Sequence, residues 1–107
     1  MARAKFQTLT EQMFYVLLCL KEECCGIDVL DKVPEMTDRR VNVGSGTLYT
    51  LFEQFIDAGM IRETKVEGRR RSYVLTDKGR AMLDAECERL RAQLTDYERI
   101  FGSGEDK

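Results

Sequence analysis

Apolar and polar positions alternate along the chain with the periods of helices and of a hairpin. Thr10 and Glu11 have the features of a helix start, a hydroxyl cap followed by an acid in the first turn. They predict a helix from residue 11 to about residue 23. Residues 13–20 of this helix are apolar all round. We therefore expect it to be covered on more than one side, in part by a second subunit.

Two further helices are predicted before residue 60. The second begins after Gly26, covers residues 27–33 and stops at Pro34, the only proline. The third begins within residues 44–47 and buries one face, because its apolar residues are spaced i, i+3, i+4, i+7 and i+8. These residues are Leu48, Leu51, Phe52, Phe55 and Ile56. Gly59 suits a C-terminal glycine cap.

A hairpin with a basic tip is predicted next. Residues 60–66 and 70–75 are rich in β-branched and aromatic side chains, and they flank a turn that contains Gly68. Residues 60–76 carry five basic and two acidic side chains, a net charge of +3, whereas the whole chain carries −2. A local patch of this kind binds phosphate despite an acidic total.

The last predicted helix begins at Thr76 and ends near residue 101. Its apolar positions follow a heptad pattern over nearly three heptads, and they are Leu83, Cys87, Leu90, Leu94, Tyr97 and Phe101. Such a seam either packs on its own domain or pairs with a second copy of the chain. A 25-residue helix is about 37 Å long, which exceeds what the small preceding domain needs and favours the dimer.

Composition narrows the possible functions. A chain of 107 residues suits one domain, and its longest apolar run has eight residues, too short to cross a bilayer. No apolar signal core follows the first residues, so we expect a cytoplasmic protein without membrane contact. The chain has no histidine and no nucleophile or phosphate-loop motif, so we expect no enzymatic activity.

The four cysteines do not suggest a metal site. None of Cys19, Cys24, Cys25 and Cys87 has CxxC spacing to another. We therefore expect neither a metal ion nor another cofactor. The simplest reading is that these are reduced thiols acting as small hydrophobic residues, and the alternative is a redox sensor built on Cys24 and Cys25.

The order of elements predicts a mainly α fold with a β-hairpin, a winged helix-turn-helix followed by a long C-terminal dimerisation helix. We expect a winged-helix DNA-binding domain at residues 1–79, a dimerisation helix at 80–101 and a flexible tail at 102–107. In such folds the helix before the hairpin enters the major groove and the hairpin lies along the backbone. The candidate DNA-binding residues are Ser45, Thr47, Tyr49, Thr50, Lys65, Arg69, Arg70 and Arg71.

Three of these assignments have structural alternatives. Tyr49 also suits a partly buried core position. The arginines at 69–71 also suit a solvated turn, and Ser45 suits a helix start. A protein-interaction module without DNA binding is the alternative function, because Glu53 and Asp57 place acids on the third helix.

The sequence resembles the PadR family of bacterial transcriptional regulators, in particular its short subfamily with one C-terminal dimerisation helix. The matching stretches are LTE at 9–11, GI at 26–27, VGSGTLY at 43–49, AGMI at 58–61, GRRRSY at 68–73 and LTDKG at 75–79. The resemblance implies a homodimeric repressor that binds a palindromic operator in double-stranded DNA. It also implies that a small aromatic effector releases DNA in some relatives, in a space between the subunits. Here Met13, Phe14, Leu90 and Leu94 are the candidate lining of such a pocket.

Overall fold

The structure is a computed structural model that describes residues 8–102. Its elements are α1 (Glu11–Cys19), β1 (Cys24–Cys25), α2 (Gly26–Met36), α3 (Ser45–Asp57), β2 (Ile61–Glu67), β3 (Arg70–Leu75) and α4 (Asp77–Phe101). The hairpin lies between the third and fourth helices, so the predicted winged-helix architecture is confirmed. The predicted tail lies outside the described residues from 103 onward. Within residues 8–102, no helix combines the length and the apolar character needed to cross a membrane.

One hydrophobic core joins the first three helices to the sheet. Its largest fully buried apolar side chains are Phe52, Phe55, Leu17, Leu20, Leu48, Met60, Val16, Val29 and Val33. The predicted stripe of α3 is buried except for Ile56, which is exposed. Gly59 follows α3 with φ of +76°, as expected for a glycine that ends a helix.

Helix α1 is shorter than predicted, because it ends at Cys19 rather than near residue 23. The amide of Lys21 donates to the carbonyl of Leu18, which tightens the last turn. Two residues further on, the carbonyl of Leu20 accepts from the amide of Leu75 at the end of β3 at 2.8 Å. Pairing with the sheet therefore takes the chain out of the helix. The domain's own core covers most of α1, and Leu18 stays 38% exposed.

Helix α2 continues past Pro34 to Met36, so the prediction that Pro34 stops it is wrong. The helix extends only two residues beyond Pro34, and Thr37 caps its C-terminal end. The Thr37 amide and hydroxyl both donate to the carbonyl of Val33, at 3.2 and 2.8 Å. The same hydroxyl accepts from the amide of Val41 at 3.1 Å. This buried threonine offsets the hydrogen bond that proline cannot make.

The sheet has a third strand that the sequence pattern did not predict. The two residues of β1 pair antiparallel with β3, so the strand order is β1-β3-β2. The register between β2 and β3 shifts between Glu63 and Lys65, which leaves Thr64 as an extra residue. A bulge of this kind bends a hairpin and increases its twist.

Candidate nucleic-acid interface

Helix α3 presents a face of short hydroxyl groups to solvent. Ser45, Thr47 and Thr50 are all exposed, whereas the opposite face packs into the core. The N-cap is Gly44, which has no side chain to bond the first amides of the helix. The start of α3 therefore offers unpaired N–H donors beside hydroxyl groups, a combination that suits DNA bases and phosphates.

Tyr49 lies at the border between this face and the core. The residue is 47% exposed, and its ring meets Phe52 edge to face with the centroids 5.9 Å apart. A Cβ atom at Gly26 would lie only 2.8 Å from the Tyr49 hydroxyl. The start of α2 therefore leaves room for this tyrosine because residue 26 is a glycine. The two interpretations of Tyr49 combine, since the ring is anchored while half of the residue faces solvent.

The wing, residues 61–75, carries the predicted basic side chains on its exposed tip. Lys65, Arg69, Arg70 and Arg71 are all exposed. Arg71 forms an ion pair with Glu63 at 2.9 Å, and its side chain remains 59% exposed. Arg69 and Arg70 form no ion pair with any residue in the described range. Two of the three arginines are therefore free to meet an external anion.

A cleft of about 240 Å³ lies between the start of α2, Tyr49 and the wing. Its lining residues are Cys25, Gly26, Ile27, Tyr49, Arg69, Arg70, Arg71 and Tyr73. The fold thus brings four predicted DNA-binding residues to one concave surface. Ser45, Thr47, Thr50 and Lys65 do not line it. Ile27, predicted as an apolar position of α2, is exposed at this surface.

Tyr73 is a cleft residue that the sequence reasoning did not assign to the site. It is 6% exposed, and its ring lies 4.4 Å from that of Phe52. Burial and the nearby carboxylate of Glu63 raise the pKa of the Tyr73 hydroxyl, so this group remains a proton donor. Side chains alternate between the two faces of β3, so Tyr73 points to the other face from its neighbour Ser72. This alternation was the sequence signal that could have assigned Tyr73 to the cleft.

The predicted dimer residues lie on α4, away from the cleft. Leu90, Leu94, Tyr97 and Phe101 are all exposed in the single chain. Leu83 is buried in its own domain, and Cys87 is half-buried. The upper four positions of the heptad pattern therefore form one apolar stripe, which we call the α4 stripe. Leu83 contributes chiefly to the core of its own chain.

The predicted effector residues are only partly brought together. Phe14 and Leu90 line a groove of about 300 Å³ between the start of α1 and α4. Met13 packs at the edge of the core, and Leu94 lies one helical turn beyond the groove. In the single chain the four residues therefore do not enclose one pocket.

The cysteines are free thiols in sheltered positions. Cys19, Cys24 and Cys25 are buried. Burial raises the pKa of Cys19 to about 11 and also raises that of Cys24. Both thiols are therefore protonated at neutral pH, which disfavours thiolate chemistry. Residues 8–102 contain no group of three or more His, Cys, Asp or Glu side chains arranged to hold a metal ion.

Comparisons with solved structures show the same fold. A transcriptional regulator from Clostridium thermocellum has a TM-score of 0.70 at 20% identity, covering 82% of this chain and 86% of that one. A PadR family transcriptional regulator from Eggerthella lenta has a TM-score of 0.70 at 19% identity, covering 89% and 82%. BpsR of Bordetella bronchiseptica, whose DNA binding is regulated by 6-hydroxynicotinic acid, has a TM-score of 0.62 at 22% identity, covering 83% and 59%. No curated protein matches the sequence.

The family assignment comes from the sequence itself. The profile of the transcriptional regulator PadR-like family matches residues 16–85. That range extends from α1 through the wing to the buried part of α4, well over half of the chain. The protein therefore belongs to the PadR-like family of transcriptional regulators.

Proposed function

We propose that this regulator is a homodimeric repressor that binds a palindromic operator in double-stranded DNA. The cleft between α3 and the wing is the observation that carries the proposal. When a winged helix places one helix in the major groove, its hairpin lies along the adjacent backbone. The sugar–phosphate backbone of one DNA strand then passes between the helix and the hairpin, where this chain has three arginines and two tyrosines. The proposal includes no catalytic step.

The two parts of this surface have different chemistry and different roles. Arginines of the wing neutralise phosphates and contribute affinity to any sequence. Thr47, Tyr49 and Thr50 offer hydroxyl groups that suit base edges, so α3 contributes sequence preference. We assign phosphate contacts to Ser45, at the start of α3, and to Lys65, on the wing.

A dimer is supported by the α4 stripe. Leu90 is 44% and Leu94 is 57% exposed in the single chain, on a helix that continues far past the domain. A heptad repeat of this kind is covered well by the same helix of a second chain. We assign DNA binding to residues 1–79 and dimerisation to 80–101. A two-fold dimer reads a palindrome, because each subunit contacts one half-site.

Repression follows from occupancy alone. A dimer bound at an operator excludes other proteins from that DNA and needs no further contact with them. The alternative function, a protein-interaction module, is motivated by Glu53 and Asp57, which are both exposed on α3. Such a module would show no preferred DNA sequence.

Selection from random DNA tests the proposed function. The wild-type protein is incubated with random duplexes, bound DNA is enriched over several rounds, and affinity is measured by gel shift at two salt concentrations. We expect an enriched palindrome with half-sites about 10 base pairs apart and weaker binding at higher salt. Absence of any enriched sequence would favour the protein-interaction module.

We also propose control by a small aromatic effector at the dimer interface. The groove that contains Phe14 and Leu90 supports it, since the partner's stripe would close this groove into a cavity and bring Met13 and Leu94 near it. The regulated DNA binding of BpsR provides a precedent in a similar fold. The test is a screen of planar aromatic compounds against the DNA complex. A coupling of about 1–3 kcal/mol, or 5- to 150-fold in DNA affinity, is the expected size. If no compound weakens the complex, the effector is rejected while the DNA-binding proposal stands.

A further inference from the structure

Helix α4 consists of an anchored part and a free part. Its buried residues are Gly79, Leu83 and Glu86, which lie in the first ten residues of the helix. Every residue from 90 to 101 is exposed in the single chain. Glu86 is therefore the last buried residue before α4 leaves the domain.

Glu86 is an unusual residue to find at that point, because carboxylates are rarely buried. It is 4% exposed, and its Oε1 accepts the amide of Leu9 at 3.1 Å and the Nε of Arg89 at 3.2 Å. Its Oε2 pairs with a terminal nitrogen of the same guanidinium group. Three hydrogen-bond donors restrict the orientation of a buried carboxylate. An apolar side chain of similar size would not be restricted by hydrogen bonds at all.

The bond to Leu9 connects α4 to the start of α1. Leu9 is buried in the core, and the hydroxyl of Thr10 caps α1 by accepting the amide of Met13. Beside this bond lies the groove of about 300 Å³ lined by Phe14 and Leu90. Side-chain packing therefore leaves space beside α4 at the point where the helix leaves the domain. The hydrogen bonds of Glu86 restrict the direction of the helix there.

We infer that Glu86 is a positioning residue that fixes the angle between α4 and the winged-helix domain, and so the separation of the two α3 helices in the dimer. This inference rests on the proposed function, because separation matters only for a dimer bound to two half-sites. The helix extends far past this point: the 15 residues that follow Glu86, up to Phe101, span about 22 Å. Because pairing of the two α4 stripes fixes the free parts of the helices, a tilt at Glu86 swings each winged-helix domain. A tilt of about 10° moves any point about 22 Å from the pivot by about 4 Å, more than the rise of one base pair, about 3.4 Å.

The experiment measures spacing preference with the full chain. The selected operator is compared with the same operator carrying one inserted or one deleted base pair between its half-sites. We expect the wild-type protein to prefer the selected spacing by about tenfold or more, the cost of one mismatched base pair. Glu86→Met fills the buried volume but loses every hydrogen bond, and its preference should fall to about threefold or less. Glu86→Gln keeps an oxygen for the Leu9 amide and should retain most of the preference.

Glu88→Met is the matched control. It makes the same substitution on the same helix at an exposed position, so it should leave the spacing preference unchanged. Sedimentation and circular dichroism establish that each variant is a folded dimer. If Glu86→Met fails to fold, Arg89→Met is used instead, because it removes two of the three donors at a less buried position. A threefold or greater loss of preference is then expected, in line with a loosened carboxylate.

The outcomes separate the inference from the proposed function. A folded Glu86→Met dimer with the wild-type spacing preference overturns the inference and leaves the proposed function intact. The same conclusion follows if Arg89→Met has to be used and keeps the wild-type preference. A wild-type protein that enriches no palindrome overturns the proposed function, and the inference with it.

Discussion

At the scale of single residues, Gly79 is under a tighter packing constraint than Gly26, Gly44, Gly46, Gly59 or Gly68. A Cβ atom there would collide with the carbonyl group of Met60 and lie 2.7 Å from a methyl carbon of Leu75. The start of α4 is also tied to the same segment, because Thr76 donates its amide to the Met60 carbonyl at 3.0 Å. The glycine of the LTDKG stretch is therefore required by close approach of a helix to backbone.

Gly79→Ala should lower the free energy of unfolding by about 3 kcal/mol, at the upper end of overpacking costs, because the obstacle is backbone. Gly46→Ala is the control, since a Cβ at Gly46 meets nothing within 4 Å. That change should be neutral or slightly stabilising, by about 0.5 kcal/mol or less, because alanine loses less conformational freedom than glycine when it enters a helix. Urea denaturation measures both. Equal stability of the two variants would contradict the packing argument.

Glu86 gives a prediction about acid stability. Its hydrogen bond from Arg89, opposed by burial and aided by the Leu9 amide, holds the pKa of Glu86 below its ordinary value of 4.5. A carboxyl with a depressed pKa in the folded state adds stability that is complete above the unfolded pKa and is lost as pH falls through the folded one. Between about pH 6 and pH 3, the wild-type protein should therefore lose more unfolding free energy than Glu86→Gln. Parallel stability curves for the two proteins would contradict the assignment.

The burial of Glu86 was not predictable from the heptad pattern of α4. Helical periodicity identifies faces of a helix, and residue 86 lies on the flank of the seam. Its burial depends on the segment around Leu9, which is 77 positions away in the sequence. Tyr73 and Gly26 were missed as site residues for the same reason, since the cleft exists only after three separate elements meet.

At the scale of elements, long periodic segments were predictable and contact-dependent ends were not. The start of α3, the hairpin and both ends of α4 follow from local caps and periodicity. Strand β1 has only two residues, and its strand character comes from the free edge of β3. A hydrogen bond to the same strand ends α1 early, because the Leu20 carbonyl accepts from the Leu75 amide, so β3 accounts for both differences.

The wing should behave as an electrostatic element. Replacing Arg69, Arg70 and Arg71 with alanine should weaken binding to every DNA sequence. It should also reduce the slope of log K against log salt by about 2 to 2.5, because each lost phosphate contact removes about 0.9. The expected change in slope is smaller than that of three full phosphate contacts, because Arg71 also forms an ion pair with Glu63. Gel shifts across a salt series provide the measurement.

A control distinguishes this effect from total charge. Replacing Arg80, Arg91 and Arg99, all exposed on α4, removes the same charge away from the cleft and should leave the slope nearly unchanged. Thr50→Ala should instead alter the preferred sequence at a constant slope. A wing variant with the wild-type slope would show that these arginines do not contact phosphate.

At the scale of the whole molecule, the chain is elongated, with principal extents of 60 × 39 × 22 Å. The long dimension arises because α4 is one uninterrupted helix of 25 residues that extends beyond a small domain. The heptad pattern predicted an apolar seam, and the structure leaves the α4 stripe uncovered. The direction of α4 relative to the domain was not predictable from the pattern, because hydrogen bonds at one buried carboxylate set it.

This geometry yields a test of the dimer that leaves the domain intact. Leu90→Lys with Leu94→Lys places two charges on the α4 stripe, and burying them without partners in a dimer costs several kcal/mol. In the single chain both positions are exposed, so circular dichroism should show a folded domain. Sedimentation should show a monomer, and operator affinity should fall by about 100-fold or more because the second half-site is no longer linked to the first.

Ala92→Lys with Thr95→Lys adds the same charge on the exposed opposite side of α4 and should remain dimeric. A dimeric Leu90 and Leu94 double variant, or a wild-type monomer at micromolar concentration, would place dimerisation elsewhere and remove the reason for a palindromic operator.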